Sequence, residues 1–332
     1  MRYRQFGNTN IKVSEIGFGT WPLAGGQNGA KAYGKTDEEE SIIALNYAYM
    51  KGINLYDVSD FYGYGYVESL LGRVFNRQSQ VSAGLRRADV IFVTKVGLVS
   101  DDNKLDFSTN HIVESIEGSL KRLKTDYIDV YMLHCPAMEM LEDRRIQSLM
   151  EVFQSEGKIR EYGISVRTPA DALTAINKFG FSIIEVNYNI LDHRAKKLGV
   201  FDLCKEKNVA TIIRTPLGQG VLSGEFQFNS DESDARNTMS KAVFERSVSA
   251  FNKILNCVVM NERTRSQLAL QFCLNEPAAS CVIPGMKTRD QVIENMHFSQ
   301  SSDSLLGYLK QTYELSQGEI HIINDVYKEY GL

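Results

Sequence analysis

Residues 54–72 read NLYDVSDFYGYGYVESLLG. An apolar run ends in Asp57, a Gly- and aromatic-rich turn follows, and from Val67 the apolar residues recur at helical spacing (Val67, Leu70, Leu71). This predicts a strand over Ile53–Asp57 and a helix over Tyr66–Arg77. The same unit recurs on either side. Further strands are expected at Gly17–Thr20, Val90–Lys95, Ile128–His134, Ile159–Ser165, Ser182–Asn187, Val209–Arg214 and Ser280–Pro284. Between them fall helices at Asp37–Lys51, Asn110–Lys124, Met138–Glu156, Pro169–Phe179, Lys196–Lys207, Thr264–Asn275 and Arg289–Gln300. Thr36 before Asp37 and Glu39, and Thr168 before Pro169 and Asp171, have the chemistry of an N-cap and first turn.

Eight strand–helix units, with strands that are nearly continuous apolar runs, predict an α/β fold of the (β/α)8 TIM-barrel class. A doubly wound open sheet is the alternative, but no G-x-G-x-x-G turn follows any early strand. Two segments stand outside the repeat. Arg2–Phe6 and Lys12–Glu15 read as an N-terminal β-hairpin, and residues 224–263, rich in Ser, Asn, Asp and Glu, as an insertion after the seventh strand. One extra C-terminal helix is expected over Gly318–Tyr330. No linker divides the sequence, so 1–332 is expected to form a single domain.

The bulk numbers exclude several classes. With 43% hydrophobic and 23% charged residues and a net charge of −4, the composition is that of a soluble globular protein without a clustered basic face for nucleic acid. The five cysteines are widely spaced with no C-x-x-C, which suggests neither a disulfide framework nor a metal site. The first residues, MRYRQFGNTN, are not a signal peptide, and no apolar run reaches the length of a membrane span. A cytoplasmic protein is expected.

In such a barrel the C-terminal strand ends converge on one site. The second, third and fourth strands end in Asp57, Lys95 and His134, and Tyr62 lies on the turn after Asp57. A lone strand-end Asp is usually a helix cap and a lone buried His a core residue. Convergence at three successive equivalent positions argues for chemistry instead. A phenol titrates near 10 unless tuned; an ammonium at Lys95 would lower that pKa, and Asp57 would hold Lys95 charged. His134 could orient a carbonyl oxygen for proton transfer from Tyr62.

These segments resemble the aldo-keto reductase family over nearly the whole chain. IGFGTW (16–21), NLYDVSDFYGYGYVESLLG (54–72), VTKVG (93–97), SLKRLKTDYIDVYMLHCP (119–136), GKIREYGIS (157–165), TPLGQGVLSG (215–224) and IPG with QVIEN (283–295) carry the likeness. It implies an NADP-dependent oxidoreductase that reduces an aldehyde or ketone to an alcohol. Tyr62 would be the proton donor, Lys95 and Asp57 its tuners, His134 the substrate orienter, and Trp21 a wall of the substrate pocket beside Tyr62 and His134. Ser165 would contact the nicotinamide; Pro216, Leu217, Gly218 and Gly220 the pyrophosphate; Pro284, Gly285, Lys287, Thr288, Gln291, Glu294 and Asn295 the adenosine end. Lys287 favours NADPH over NADH, because a 2′-phosphate needs a cation.

Three residues depart from the family pattern. Val166 stands where Asn is common, Glu185 where Gln is usual, and Arg214 where an aromatic usually stacks on the nicotinamide. Glu185 and Arg214 are expected to compensate each other as an ion pair. Polar loops at 22–35, 97–109 and 224–240 suit a hydroxylated or sugar-like carbonyl, with their acidic residues disfavouring anions. An NADPH-binding regulatory subunit with little turnover remains an alternative. A Schiff-base aldolase acting through Lys95 does not fit, since it needs a neutral lysine. Small-molecule carbonyls are the expected partners; the oligomeric state is not assigned.

Overall fold

The computed structural model describes residues 1–75, 86–227, 234–260, 262–297 and 314–332. A short antiparallel hairpin, β1 (Tyr3–Gln5) and β2 (Lys12–Ser14), precedes eight parallel strands. These are β3 (Phe18–Gly19), β4 (Leu55–Asp57), β5 (Ile91–Val96), β6 (Ile128–His134), β7 (Ile159–Ser165), β8 (Ile183–Asn187), β9 (Ala210–Arg214) and β10 (Cys281–Val282). They lie side by side in sequence order, and parallel bridges Ile16–Val282 and Gly19–Gly285 close the first strand onto the last. The TIM-barrel expectation and the N-terminal hairpin are both borne out.

Helices α1 (Glu38–Met50), α2 (Tyr66–Val74), α3 (Thr109–Leu123), α4 (Arg145–Ser155) and α5 (Pro169–Phe179) each follow a strand. So do α6 (Arg194–Lys197) with α7 (Val200–Lys207), then α8 (Lys241–Cys257) with α9 (Arg265–Leu274), and α10 (Arg289–Met296). The extra C-terminal helix is α11 (Gln317–Glu329), which packs on α8.

Strand side chains alternate between two cores. Leu55, Ile91, Val93, Val130, Met132, Ile183, Ala210, Ile212 and Cys281 fill the barrel, and Phe6, Ile11 and Val13 of the hairpin plug its bottom. Tyr56, Phe92, Tyr131, Ile184 and Ile213 face outward against the helices. The same parity carries Asp57, Lys95, His134, Glu185 and Arg214 into the barrel mouth, one step above the apolar layers.

Several predicted elements are corrected. The helix over 138–156 is two pieces, a 3-10 turn Met138–Glu142 and then α4, because the Asp143 carboxylate accepts from Arg145 N and forms a local turn. The helix over 196–207 starts earlier and breaks at Gly199, which has φ +77°. Asp37, not Thr36, caps α1: its side chain accepts from Glu40 N, while the Thr36 hydroxyl donates to Pro22 O. The 224–263 insertion contains α8, capped by Ser240 and buried through Ala250, Phe251 and Ile254. Thr168 forms the expected capping box with Asp171. Parts of the expected segments Tyr66–Arg77, Arg289–Gln300, 224–263 and the tail after Ser301 lie outside the described residues.

The turn that carries Tyr62 leads into α2, so the seating of α2 fixes that turn. Gly72 of α2 lies against α3; a Cβ there would come 2.1 Å from the Arg122 carbonyl oxygen. Gly72→Ala is expected to destabilise the protein by about 1–3 kcal/mol, overpacking outweighing the gain in helix propensity. An unchanged or raised thermal midpoint would show that this contact does not seat the helix.

Candidate active site

Lys95 stands at the centre of the barrel mouth and is fully buried. Its ammonium donates to Asp57 Oδ1 at 2.5 Å, to the Val58 carbonyl at 3.1 Å and to the Tyr62 hydroxyl at 3.4 Å. Glu185 Oε2 lies 3.4 Å from it on the other side. Burial alone would drag the ammonium pKa down; the Asp57 and Glu185 carboxylates overcome this and hold it above its ordinary range. Two carboxylates thus share one ammonium. Burial, then Glu185, push the Asp57 carboxyl up to about 8 against the pull of Lys95, which it meets at 2.5 Å.

Tyr62 departs from expectation. Lys95 does pull the phenol pKa down, but burial is the larger influence and Asp57 and Glu185 add to it, so the net shift is upward. The phenol therefore keeps its proton at neutral pH. Its ring meets Trp21 edge-on, centroids 4.8 Å apart, and lies 6.1 Å from the His134 ring. Trp21 also stacks on Phe61, and Trp21, Tyr62 and His134 all line the cleft. Burial, then Lys95 and Arg214, hold His134 well below its usual pKa, so its imidazole is neutral.

The residues that break the family pattern form one cluster. Ser165 pairs with Glu185 across β7 and β8, and its hydroxyl donates to Glu185 Oε1 at 3.0 Å. Arg214 Nε lies 3.7 Å from that same oxygen, within ion-pair range but too long for a hydrogen bond. Its guanidinium donates through Nη2 to the Val166 carbonyl at 3.0 Å. Glu185 Oε2 and Arg214 Nε are buried without a hydrogen-bond partner among the described residues. Such atoms are costly unless something docks on them. Thr215, after Arg214, has φ +54°, rare for a β-branched residue, and is held by bonds to Asn187 and Asn189.

The cleft continues past this cluster, about 960 Å³ in all. Pro216, Leu217, Gly220, Gly285, Lys287, Gln291, Glu294 and Asn295 line it, whereas Gly218, Pro284 and Thr288 are not among its lining residues. The Gly218 and Gly220 N–H groups donate within their own turn, to the Thr215 and Leu217 carbonyls. Pro284 accepts from Gly19 at the barrel seam, and Thr288 caps α10. Lys287 reaches across to the carbonyls of Tyr33 (2.9 Å) and Lys35 (3.3 Å). Burial lowers its pKa. Gln291 accepts from Lys287 N and donates to Glu225.

Sequence reading missed two parts of this site. The loop 22–35 is tied across the cleft by Ala235 N to Ala32 O and by Arg236 lying over the Tyr33 ring. Ser59 touches His134, its hydroxyl 3.2 Å from Nδ1. The acidic turn after Asp57 was the only signal for the second.

Known proteins share this fold and resemble this sequence over most of its length. A profile described as "Aldo/keto reductase family" matches residues 15–314. The aldo-keto reductase YhdN of Bacillus subtilis is 30% identical over 88% of this chain and 87% of its own. The aldo-keto reductase yakc [NADP(+)] of Schizosaccharomyces pombe is 29% identical over 88% and 85%. The solved holo form of aldo-keto reductase AKR11C1 from Bacillus halodurans superposes with a TM-score of 0.76 at 28% identity, covering 98% of this chain and 96% of that one. With its closed barrel and that match over most of its length, this chain belongs to the aldo-keto reductase family, oxidoreductases that act on carbonyl compounds with a nicotinamide cofactor.

Proposed function

We propose that this protein reduces an aldehyde or ketone to an alcohol with NADPH, Tyr62 supplying the proton. The observation that carries the reading is the Lys95 ammonium, bonded at once to Asp57 and to the Tyr62 hydroxyl, beside a neutral His134 in one cleft. A phenol held above its usual pKa is an acid that is fully loaded at neutral pH. When a carbonyl oxygen gains negative charge against it, the nearby ammonium stabilises the phenolate that proton transfer leaves behind. His134 orients that oxygen. A bound nicotinamide supplies the hydride.

The residues around the cleft fit such a cofactor. Glu185 and Arg214 line the cleft where a carboxamide-bearing ring would lie, with Ser165 beside them. Because the Ser165 proton is committed to Glu185, its oxygen is left to accept from a carboxamide N–H. Arg214 offsets the Glu185 charge, which would otherwise favour the oxidised, cationic ring. Lys287, with Gln291, Glu294 and Asn295, would hold the adenosine end, and its ammonium is the reason to favour the 2′-phosphate. The relative named for NADP(+) supports the same choice. The substrate is read as hydroxylated or sugar-like, from Ser100, Asp101 and Asn103 on the outer wall of the cleft. The setting is read as cytoplasmic, where the five unpaired cysteines stay reduced.

A panel of aldehydes with NADPH, followed by loss of its absorbance, tests the whole reading; tight NADPH binding without turnover would overturn it. Tyr62→Phe is expected to lower kcat by about 10²–10⁴-fold while NADPH affinity stays close to wild type. Loss of binding instead would make Tyr62 structural. Glu185→Gln should weaken NADPH binding, and Arg214→Ala should weaken it more. If the two act as a pair, their double variant will be non-additive by about 0.5–3 kcal/mol; additive losses in fluorescence titrations would remove the pairing. Lys287→Ala should raise the Kd for NADPH several-fold and leave that for NADH nearly unchanged, and equal losses would refute the 2′-phosphate role.

A further inference from the structure

Ser59 follows Asp57 by two residues and is fully buried. Its oxygen accepts from Phe61 N at 3.1 Å, which leaves one lone pair and one proton. Two partners compete for them. Asp60 Oδ1 is 3.1 Å away and His134 Nδ1 is 3.2 Å away. The other ring nitrogen, Nε2, bonds to no protein atom among the described residues, and His134 lines the cleft.

We propose that Asp60 and Ser59 act as positioning residues that set which nitrogen of His134 carries the proton, and so whether Nε2 can donate to a carbonyl oxygen. This rests on the reading of His134 as the group that orients the carbonyl. Two proton arrangements let Ser59 bond to Asp60 and His134 at once, one for each state of the carboxyl. With Asp60 ionised, Ser59 gives its proton to that carboxylate and accepts from His134 Nδ1–H, leaving Nε2 a bare lone pair. With Asp60 protonated, the carboxyl donates to Ser59, Ser59 donates to Nδ1, and the imidazole proton sits on Nε2. Only the second state offers a donor to a carbonyl.

The surroundings leave Asp60 as the group that titrates. Around it stand Glu68 of α2, Arg122 of α3 and the Tyr131 phenol of β6. Arg122 is tied to Glu68 at 2.7 Å, and Glu68 also takes the Thr94 hydroxyl. Burial, then Glu68, push the Asp60 carboxyl up to about 7 against the pull of Ser59 and Arg122. His134 faces Lys95, Arg214 and Tyr62; burial and the two cations keep it neutral, so it always carries one ring proton. Asp60 is protonated below its raised pKa and ionised above it. The donor tautomer therefore belongs to the acidic side and is lost as pH rises.

The test is a nitrogen-15 NMR titration of histidine-labelled protein from about pH 6 to about pH 8.5, reading the two ring nitrogens of His134. Wild type should pass from the Nε2–H to the Nδ1–H tautomer. Ser59→Ala should show one tautomer throughout, and Asp60→Asn, whose amide donates permanently, should keep Nε2–H. The KM for an aldehyde should rise roughly 3- to 10-fold over the same range in wild type, the size of one hydrogen bond, with kcat flat and the rise absent in Asp60→Asn. One unchanging tautomer in wild type, or an unaltered switch in Asp60→Asn, overturns the relay even where aldehyde is turned over. A switch in a protein that reduces no aldehyde supports the relay and overturns the proposed function instead. The wild-type titration needs no variant to fold.

Discussion

The Lys95 ammonium has no contact with water, and a buried charge is tolerated only while its partners stay in place. Asp57, the Val58 carbonyl and the Tyr62 hydroxyl take its three protons, and Glu185 adds a second negative charge at 3.4 Å. Removing one carboxylate from such a group commonly costs about 3–5 kcal/mol, because the remaining charge is left uncompensated. The mouth of the barrel must therefore be rigid. Rigidity comes from the strands themselves, since each of these side chains except Tyr62 stands on a strand held by neighbours on both sides. Tyr62 is fixed differently, by the Trp21 ring and by the seating of α2.

Alternation along the strands explains why polar chemistry is confined to one layer. Below Lys95 on β5 come Val93 and Ile91, below His134 come Met132 and Val130, and below Arg214 come Ile212 and Ala210. These apolar layers, closed underneath by Phe6, Ile11 and Val13, give the charges a low-dielectric floor. Electrostatic contacts are strengthened there, and unpaired groups are correspondingly expensive. When both carboxyls are ionised, Asp57 and Glu185 balance the charges of Lys95 and Arg214, with a neutral His134 beside them.

The strand over 128–134 was legible to the residue, because a strand buried on both faces is a largely apolar run with a sharp end. That over 159–165, exposed at Arg160, was placed by its Gly163–Ser165 end and its spacing in the repeat. The convergence of Asp57, Tyr62, Lys95 and His134 was legible for a related reason: parity and strand ends are written in the sequence. Other features depend on distance in space. The sign of the Tyr62 shift turns on burial and on carboxylates from two other strands, so a Tyr–Lys pair read in isolation gives the wrong direction. Ser59 lies in a sequence stretch where a small residue reads as packing, and only the position of His134, 75 residues away, gives it a role. Helix α8 was hidden by the Ser- and Asn-rich composition of its segment, since only Ala250, Phe251 and Ile254 of its 17 residues are buried. Lys287 was visible as a cation, but not its bonds to loop 22–35 on the far side of the cleft.

Glu185 joins the two halves of the site, which sequence comparison had treated separately. One oxygen faces Lys95 and thereby the Tyr62 phenol; the other takes the Ser165 hydroxyl and faces Arg214, which in turn holds the Val166 carbonyl. A neutral glutamine at this place would leave Lys95 with one carboxylate and Arg214 with none. The carboxylate instead raises the Tyr62 phenol further and anchors a guanidinium where an aromatic face would otherwise lie. A change in the charge that Arg214 meets is therefore felt at Lys95, through a carboxylate whose oxygens lie 3.7 Å from the one and 3.4 Å from the other. In this barrel the Tyr62–Lys95–Asp57 group and the Ser165–Glu185–Arg214 group are joined through one carboxylate into a single electrostatic unit.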